Sequence, residues 1–286
     1  MALTFNRYGK ARVRVLRLER DGLRHQAREL TVEAMLTGGF ERAFTEGDNR
    51  AVVATDTIKN IVQALARDHV AAETEVLLAH VATFLLERYP QVERAEVTGR
   101  ETRWRRLEVG GRPHDHAFTL DGNGQPFARV FATRAEVTRE SGLKGFTFMK
   151  TTGSGWADFH ADEYRTLPDT DDRILATAMD ATWTWARAPS RFDDANARIL
   201  DAMLSEFATT FSRGAQDSMY RMGEAALAAV PEIATVKLAL PNKHHLPVDL
   251  TRFGRDNPGV VFLPTDEPHG QIEAVISRGA GSGQAT

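Results

Sequence analysis

The chain has 286 residues, 42% of them hydrophobic, no cysteine and a formal net charge of −3. That length buries a core without staples, in one large domain or two of about 140 residues each. The missing cysteines exclude thiolate nucleophiles, Cys-ligated zinc and iron–sulfur clusters, and the near-balanced charge points to a small-molecule partner and away from nucleic acid.

Residues 12–20 alternate with period two, Asp21-Gly22 offers a turn, and a second extended segment runs over about 24–36, which together make a hairpin. Helices are expected over 57–69, carrying Ile58, Ile61, Val62 and Leu65, and over 72–89, carrying Val76, Leu77, Val81, Phe84 and Leu85, with Pro90 as the stop. Extended segments follow over 92–107, and over 116–120 and 127–137 on either side of the Asp121-Gly122-Asn123-Gly124 turn. The order then recurs: extended segments at 145–150 and 174–187, helices from Asp193-Asp194 to about 211 and over 218–229, and strands at 234–240 and 270–277. Thr55-Asp56-Thr57 and Asp193-Asp194 read as N-caps, because their side chains can accept hydrogen bonds from free first-turn amides.

The simplest architecture with this order is α+β: two tandem domains, 1–137 and 138–278, each an antiparallel sheet with a helix pair on one face, and a flexible tail at 279–286. The second face of each sheet carries aliphatic and aromatic residues at alternate positions, which calls for cover by a partner subunit. No apolar run approaches the roughly 18 residues of a membrane span, and residues 1–7 lack a signal peptide's apolar core, so a cytoplasmic protein that binds neither membrane nor nucleic acid is expected.

The chemistry-bearing residues are scattered. Lys10, just after Gly9 at a strand's lip, is either a solvated gatekeeper or a partly desolvated base. Thr55 and Asp56 stand at a helix N-terminus, where amides and a positive dipole end can hold an anion. His114 and His116 would share one face of a strand, but spacing supplies no third or fourth metal ligand. Arg173 can fork onto a planar oxygen-bearing ligand as no lysine can, Trp156 or Phe159 could stack on a flat heterocycle beside Gly153-Ser154-Gly155, and Gln216 could pair with a ring C=O/N–H edge. Asn242-Lys243-His244-His245 puts polar groups at the end of a strand. Asn242 and His244 would share one face, with Lys243 and His245 on the other.

Tyr8-Gly9-Lys10, Val53-Ala54-Thr55-Asp56-Thr57-Ile58-Lys59-Asn60, Asp162-Glu163-Tyr164 with Leu167 and Asp172-Arg173, Gln216 before Met219-Tyr220, and Leu240-Pro241-Asn242-Lys243-His244 together resemble the urate oxidase (uricase) family. The motifs stand in the family's order over nearly the whole chain. The resemblance implies two tunnelling-fold (T-fold) domains per chain, a homotetramer with active sites between subunits, and oxidation of urate by O2 and water to 5-hydroxyisourate and hydrogen peroxide without metal or organic cofactor. Lys10 and Thr55 match the family's proton-relay pair and His244 its third catalytic member. Thr55 and Asp56 match the segment that helps hold the purine, Arg173 and Gln216 the clamp on its edges, and Asn242 the amide above the ring. Trp156 falls on the stacking position, where Phe is usual, and Ala215 on a backbone contact where Val is frequent. Two other readings stay open: a purine or pterin hydrolase of the GTP cyclohydrolase type on the same fold, and a purine-binding protein without turnover.

Overall fold

A computed structural model describes residues 2–279. The chain divides into two compact units, Met1–Gly142 with Ser190–Asp193, and Leu143–Pro189 with Asp194–Thr286. The tail expected over 279–286 lies, from Ala280 onward, outside the described residues.

The first unit opens on the expected hairpin of β1 (Tyr8–Asp21) and β2 (Arg24–Gly38), turned at Gly22, whose φ of 54° is the left-handed conformation glycine adopts at low cost. After a short helix α1 (Glu41–Thr45) come α2 (Thr55–Asp68) and α3 (Thr74–Arg88), then β3 (Val92–Thr102), β4 (Trp104–Val109), β5 (Arg112–Leu120) and β6 (Gln125–Ala132). The main sheet runs β1-β2-β3-β6, antiparallel throughout, and β4 and β5 form a ladder of their own. One strand was expected over 92–107; it instead breaks at Arg103, where the chain leaves the main sheet for the β4–β5 arm.

Period-two alternation in β2 turns Leu30, Val32, Ala34 and Leu36 inward. There they meet Ile58 and Val62 of α2 and Leu77, Leu78, Val81 and Leu85 of α3, all fully buried. Each Val, Leu or Ile among them contributes ~1.5–3 kcal/mol by leaving water.

β7 (Val137–Lys150) carries the chain across the boundary between Gly142 and Leu143. Then follow β8 (Leu175–Trp185), α4 (Phe192–Thr209), α5 (Ala215–Ala229), β9 (Ile233–Pro247) and β10 (Phe262–Ser277), with β8-β9-β10 antiparallel. Buried Met179, Ala181 and Trp183 of β8 and Val236, Leu238 and Leu240 of β9 supply the sheet side of this core, and Ile199, Met203, Met219 and Met222 the helix side. The Trp183 indole N–H is satisfied by Asn196 Oδ1 at 2.9 Å. At Gly223 a Cβ would lie 2.7 Å from Ile276 Cδ1, so the glycine sets how closely α5 approaches β10.

Both expected N-caps are overturned. α2 already begins at Thr55, its cap position is Ala54, and no side chain caps it. α4 begins at Phe192, and the Glu73 carboxylate accepts from the Phe192 and Asp193 amides at 2.9 and 3.1 Å. Asp193 is engaged with Arg28 at 2.6 Å. β9 does not end at Leu240: its ladder passes through Pro241, paired with Gln271, and continues by Asn242 and Lys243 opposite Thr177 and Ala176. Among the described residues no helix is long and apolar enough to cross a membrane.

Candidate active site

Of the residues singled out in the sequence, Lys10, Thr55 and Asp56 fall in the first unit, and Trp156, Arg173, Ala215, Gln216, Asn242 and His244 in the second. In the first unit, Gly9 pairs with Met35, and a Cβ there would sit 2.0 Å from the Ala34 carbonyl oxygen. Glycine therefore lets the start of β1 lie flat on β2. The next residue, Lys10, is half-buried opposite Ala34 and is followed by an irregularity in which Arg12 takes φ 60°. Tyr8, edge-on to Phe40 at 4.8 Å, accepts a hydrogen bond from the Val53 N–H at 2.8 Å. That bond ties the Lys10 end of β1 to the loop that delivers Thr55 and Asp56.

Thr55 and Asp56 are exposed in the first turn of α2. Without a side-chain cap, the leading amides keep their donors and the positive end of the helix dipole for an anion. Lys59, at 2.5 Å, holds the Asp56 carboxyl below the usual range, with smaller help from Asn60 and from the charge of Lys10.

The second cluster hangs on the segment between β7 and β8. Trp156 pairs with Thr170 through two backbone hydrogen bonds of 2.7 and 2.9 Å, Gly155 N–H donates to Ser212 O, and Arg173 N–H donates to Ser154 O at 2.8 Å. These bonds place Trp156 and Arg173 together. The Arg173 guanidinium carbon lies 5.6 Å from the Trp156 ring centroid. Arg173 Nε is buried with no hydrogen-bond partner among the described residues, and burial lowers the group's pKa. A half-buried guanidinium whose inner donor is unspent suits an anionic, planar ligand.

Trp156 also meets the N-terminus of α5: a Cβ on Gly214 would lie 2.8 Å from Trp156 Cζ3 and 3.4 Å from Gln216 Oε1. Gln216 is exposed and the adjacent Ala215 is buried. Ala215 and Ser218 of α5 line a tight apolar recess with Leu175, Leu240 and Asn242. Asn242 is paired with Gly270, and His244 follows two residues on, paired with Thr265. Lys243 is drawn to Asp266 at 2.7 Å, and His245 Nδ1 lies 3.2 Å from Lys243 O. Sequence reasoning missed Gly214, whose only signal is its place before Ala215-Gln216, and Thr177, whose buried hydroxyl has no partner among the described residues and whose strand position faces Asn242.

His114 and His116 do share a face, with rings edge-on at 4.7 Å, but their bond is internal: the His116 N–H donates to His114 Nδ1 at 3.3 Å. Among the described residues no three His, Asp or Glu side chains gather in an arrangement fit for a metal ion.

A duplicated antiparallel sheet with a helix pair in each unit, carrying a lysine–threonine cluster in one and an arginine–aromatic–amide cluster in the other, defines an α+β protein of two tandem T-fold domains. The family model for uricase matches residues 6–131 and 139–273, and the chain belongs to the uricase family. It is 41% identical to the uricase of Arthrobacter globiformis over 96% of this chain and 89% of that protein, and 35% identical to that of Aspergillus flavus over 95% of each. The crystal structure of the Arthrobacter globiformis uricase superposes with a TM-score of 0.92 at 40% identity, covering 98% of this chain and 96% of that one. A Bacillus sp. TB-90 urate oxidase structure, at 23% identity and a TM-score of 0.82, shares the fold. The hydrolase alternative is not favoured by these relatives.

Proposed function

We propose that this chain oxidises urate with O2 and water to 5-hydroxyisourate and hydrogen peroxide, using Lys10, Thr55 and His244 as a proton relay. The chain is an oxidoreductase that acts on urate. Urate near neutral pH is a planar monoanion, which suits an unspent arginine fork, a side-chain amide and open helix-end amides. Arg173 and Gln216 hold opposite edges of the purine, the amide of Ala215 and the Thr55-Asp56 turn add backbone contacts, and Trp156 stacks on its face. Removing a further proton makes the ring electron-rich enough to pass electrons to O2; the oxygen adds at a ring carbon, leaves as hydrogen peroxide, and water takes its place. Lys10 and Thr55 move the proton, and His244 with Asn242 orients the water or oxygen above the ring.

The observation that carries this reading is Arg173: half-buried beside the Trp156 ring, with the donor on its buried Nε left unspent. The active form is a homotetramer in the cytoplasm, with sites at subunit interfaces where the Lys10 cluster of one subunit meets the Arg173 cluster of another. Two observations support that arrangement: the clusters belong to separate compact units, and large apolar side chains such as Leu16 and Val275 are exposed on the outer strands β1 and β10. Co-expression of Lys10→Met chains with Arg173→Ala chains tests it. Each variant alone should be inactive and the mixed assembly should regain a fraction of the activity, because some interfaces then carry both intact clusters. No recovery in verified mixed assemblies would contradict interface sites.

A further inference from the structure

The segment between β7 and β8 builds a stack deeper than one aromatic ring. The Trp156 and Phe159 rings lie 17° from parallel with centroids 5.4 Å apart, and the Arg165 guanidinium carbon sits 4.0 Å from the Phe159 centroid. Arg165 is itself fixed, donating to Leu167 O at 3.1 Å and to Asp169 Oδ1 at 2.7 Å. The Trp156 backbone is held by Thr170, and the edge of its six-membered ring is stopped by Gly214. Arg165, Phe159 and Trp156 thus form a column that begins in a salt bridge and ends in an indole beside Arg173.

We propose that Phe159, backed by Arg165, is a positioning residue for substrate: it stacks on one face of Trp156 and holds the indole flat for the purine that Arg173 grips. The proposal rests on the reading that urate stacks on Trp156. An indole on a loop has rotamer freedom that binding would otherwise have to remove; a ring stacked behind it, itself held by a cation, removes that freedom before the ligand arrives. The effect belongs to substrate binding and not to the proton relay, so it separates KM from kcat.

Steady-state kinetics with urate on Phe159→Leu, Phe159→Tyr, Arg165→Gln, Trp156→Leu and the Trp156→Leu/Phe159→Leu pair test the proposal, with thermal melts confirming that each variant folds. Phe159→Leu should raise KM about 2- to 10-fold, the usual worth of an aromatic stack, with kcat unchanged. Phe159→Tyr, which keeps the ring, should match wild type, and Arg165→Gln should give a smaller rise of the same kind. In the Trp156→Leu background, Phe159→Leu should add nothing, because it acts through that ring. Additive effects, or an unchanged KM in Phe159→Leu, would overturn the inference; a lowered KM would do so too, by showing that Phe159 covers the ligand face. If Trp156→Leu itself leaves KM unchanged, the stacking assignment falls as well, so the two failures are distinguishable.

Discussion

At the scale of single residues, the site divides by the kind of work each group does. The Tyr8–Val53 bond ties the strand that carries Lys10 to the loop that leads to Thr55, and the role proposed for the pair is proton movement. Lys10→Met and Thr55→Ala are therefore predicted to lower kcat by about 100-fold or more, the usual worth of a positioned acid or base, while urate binding survives. Near-wild-type turnover in both would remove the relay. Arg173→Lys keeps the charge but loses the fork, and is predicted to raise KM about 10-fold, the cost of roughly one charge-assisted hydrogen bond. Gly214→Ala reaches the same pocket from behind: its new Cβ would press on Trp156 Cζ3 from 2.8 Å, so KM should rise with kcat preserved. These residue types were legible because each belongs to a short motif with a chemical reason. The stack of Phe159 on Trp156 was not, since aromatics three apart in an irregular segment show no periodicity to read.

At the scale of elements, the helices were legible from their apolar spacing, but their ends were not. Asp and Thr before a helix suggested caps; in the structure Asp193 is taken by Arg28, and Glu73, distant in sequence, does the capping. The C-termini follow a device repeated in both units. Arg17 of β1 donates to His69 O and Ala72 O beyond α2, and Lys150 of β7 to Phe207 O and Thr210 O at the end of α4. Arg134 donates to Leu86 O, Tyr89 O and Pro90 O after α3, and Arg278 to Leu227 O, Val230 O and Ile233 O after α5. A cation at a helix C-terminus satisfies orphan carbonyls and meets the negative end of the dipole. Arg17 is 4% exposed whereas Arg134 is open to solvent. Arg17→Met should accordingly cost ~1–3 kcal/mol in urea unfolding and Arg134→Ala less, about 0.5–1.5 kcal/mol.

Glu101 of β3 adds a pH dependence to the same region. Burial pushes its carboxyl above the usual range, against the pull of the Thr74 hydroxyl that donates to it and of Arg28 and Arg17. The folded state therefore holds this proton more tightly than the unfolded chain. The stability so gained is full below the unfolded value of 4.5 and is lost as pH rises through the folded value. Glu101→Gln keeps the acceptor oxygen and cannot ionise. It should melt higher than wild type at about pH 7.5 and no higher near pH 4. An equal offset at both pH values would rule out this titration.

At the scale of the whole molecule, the duplicated order of strands and helices was readable because periodicity switches from two to 3.6 and back twice along the chain. The departure of β4 and β5 from the main sheet was not readable, because an arm that pairs with itself has the same alternation as one that continues a sheet. The apolar side chains left exposed along the outer strands fit burial in an assembly, and light scattering should give about four times the 31.7 kDa chain mass. Chelator-treated protein mixed with urate in air, with urate absorbance, dissolved oxygen and peroxide followed together, should lose urate and O2 in equal amounts and gain peroxide to match, and Lys10→Met should suppress all three. Urate loss without oxygen uptake, or activity that returns only when a metal is added, would rule out metal-free oxidation of urate by O2.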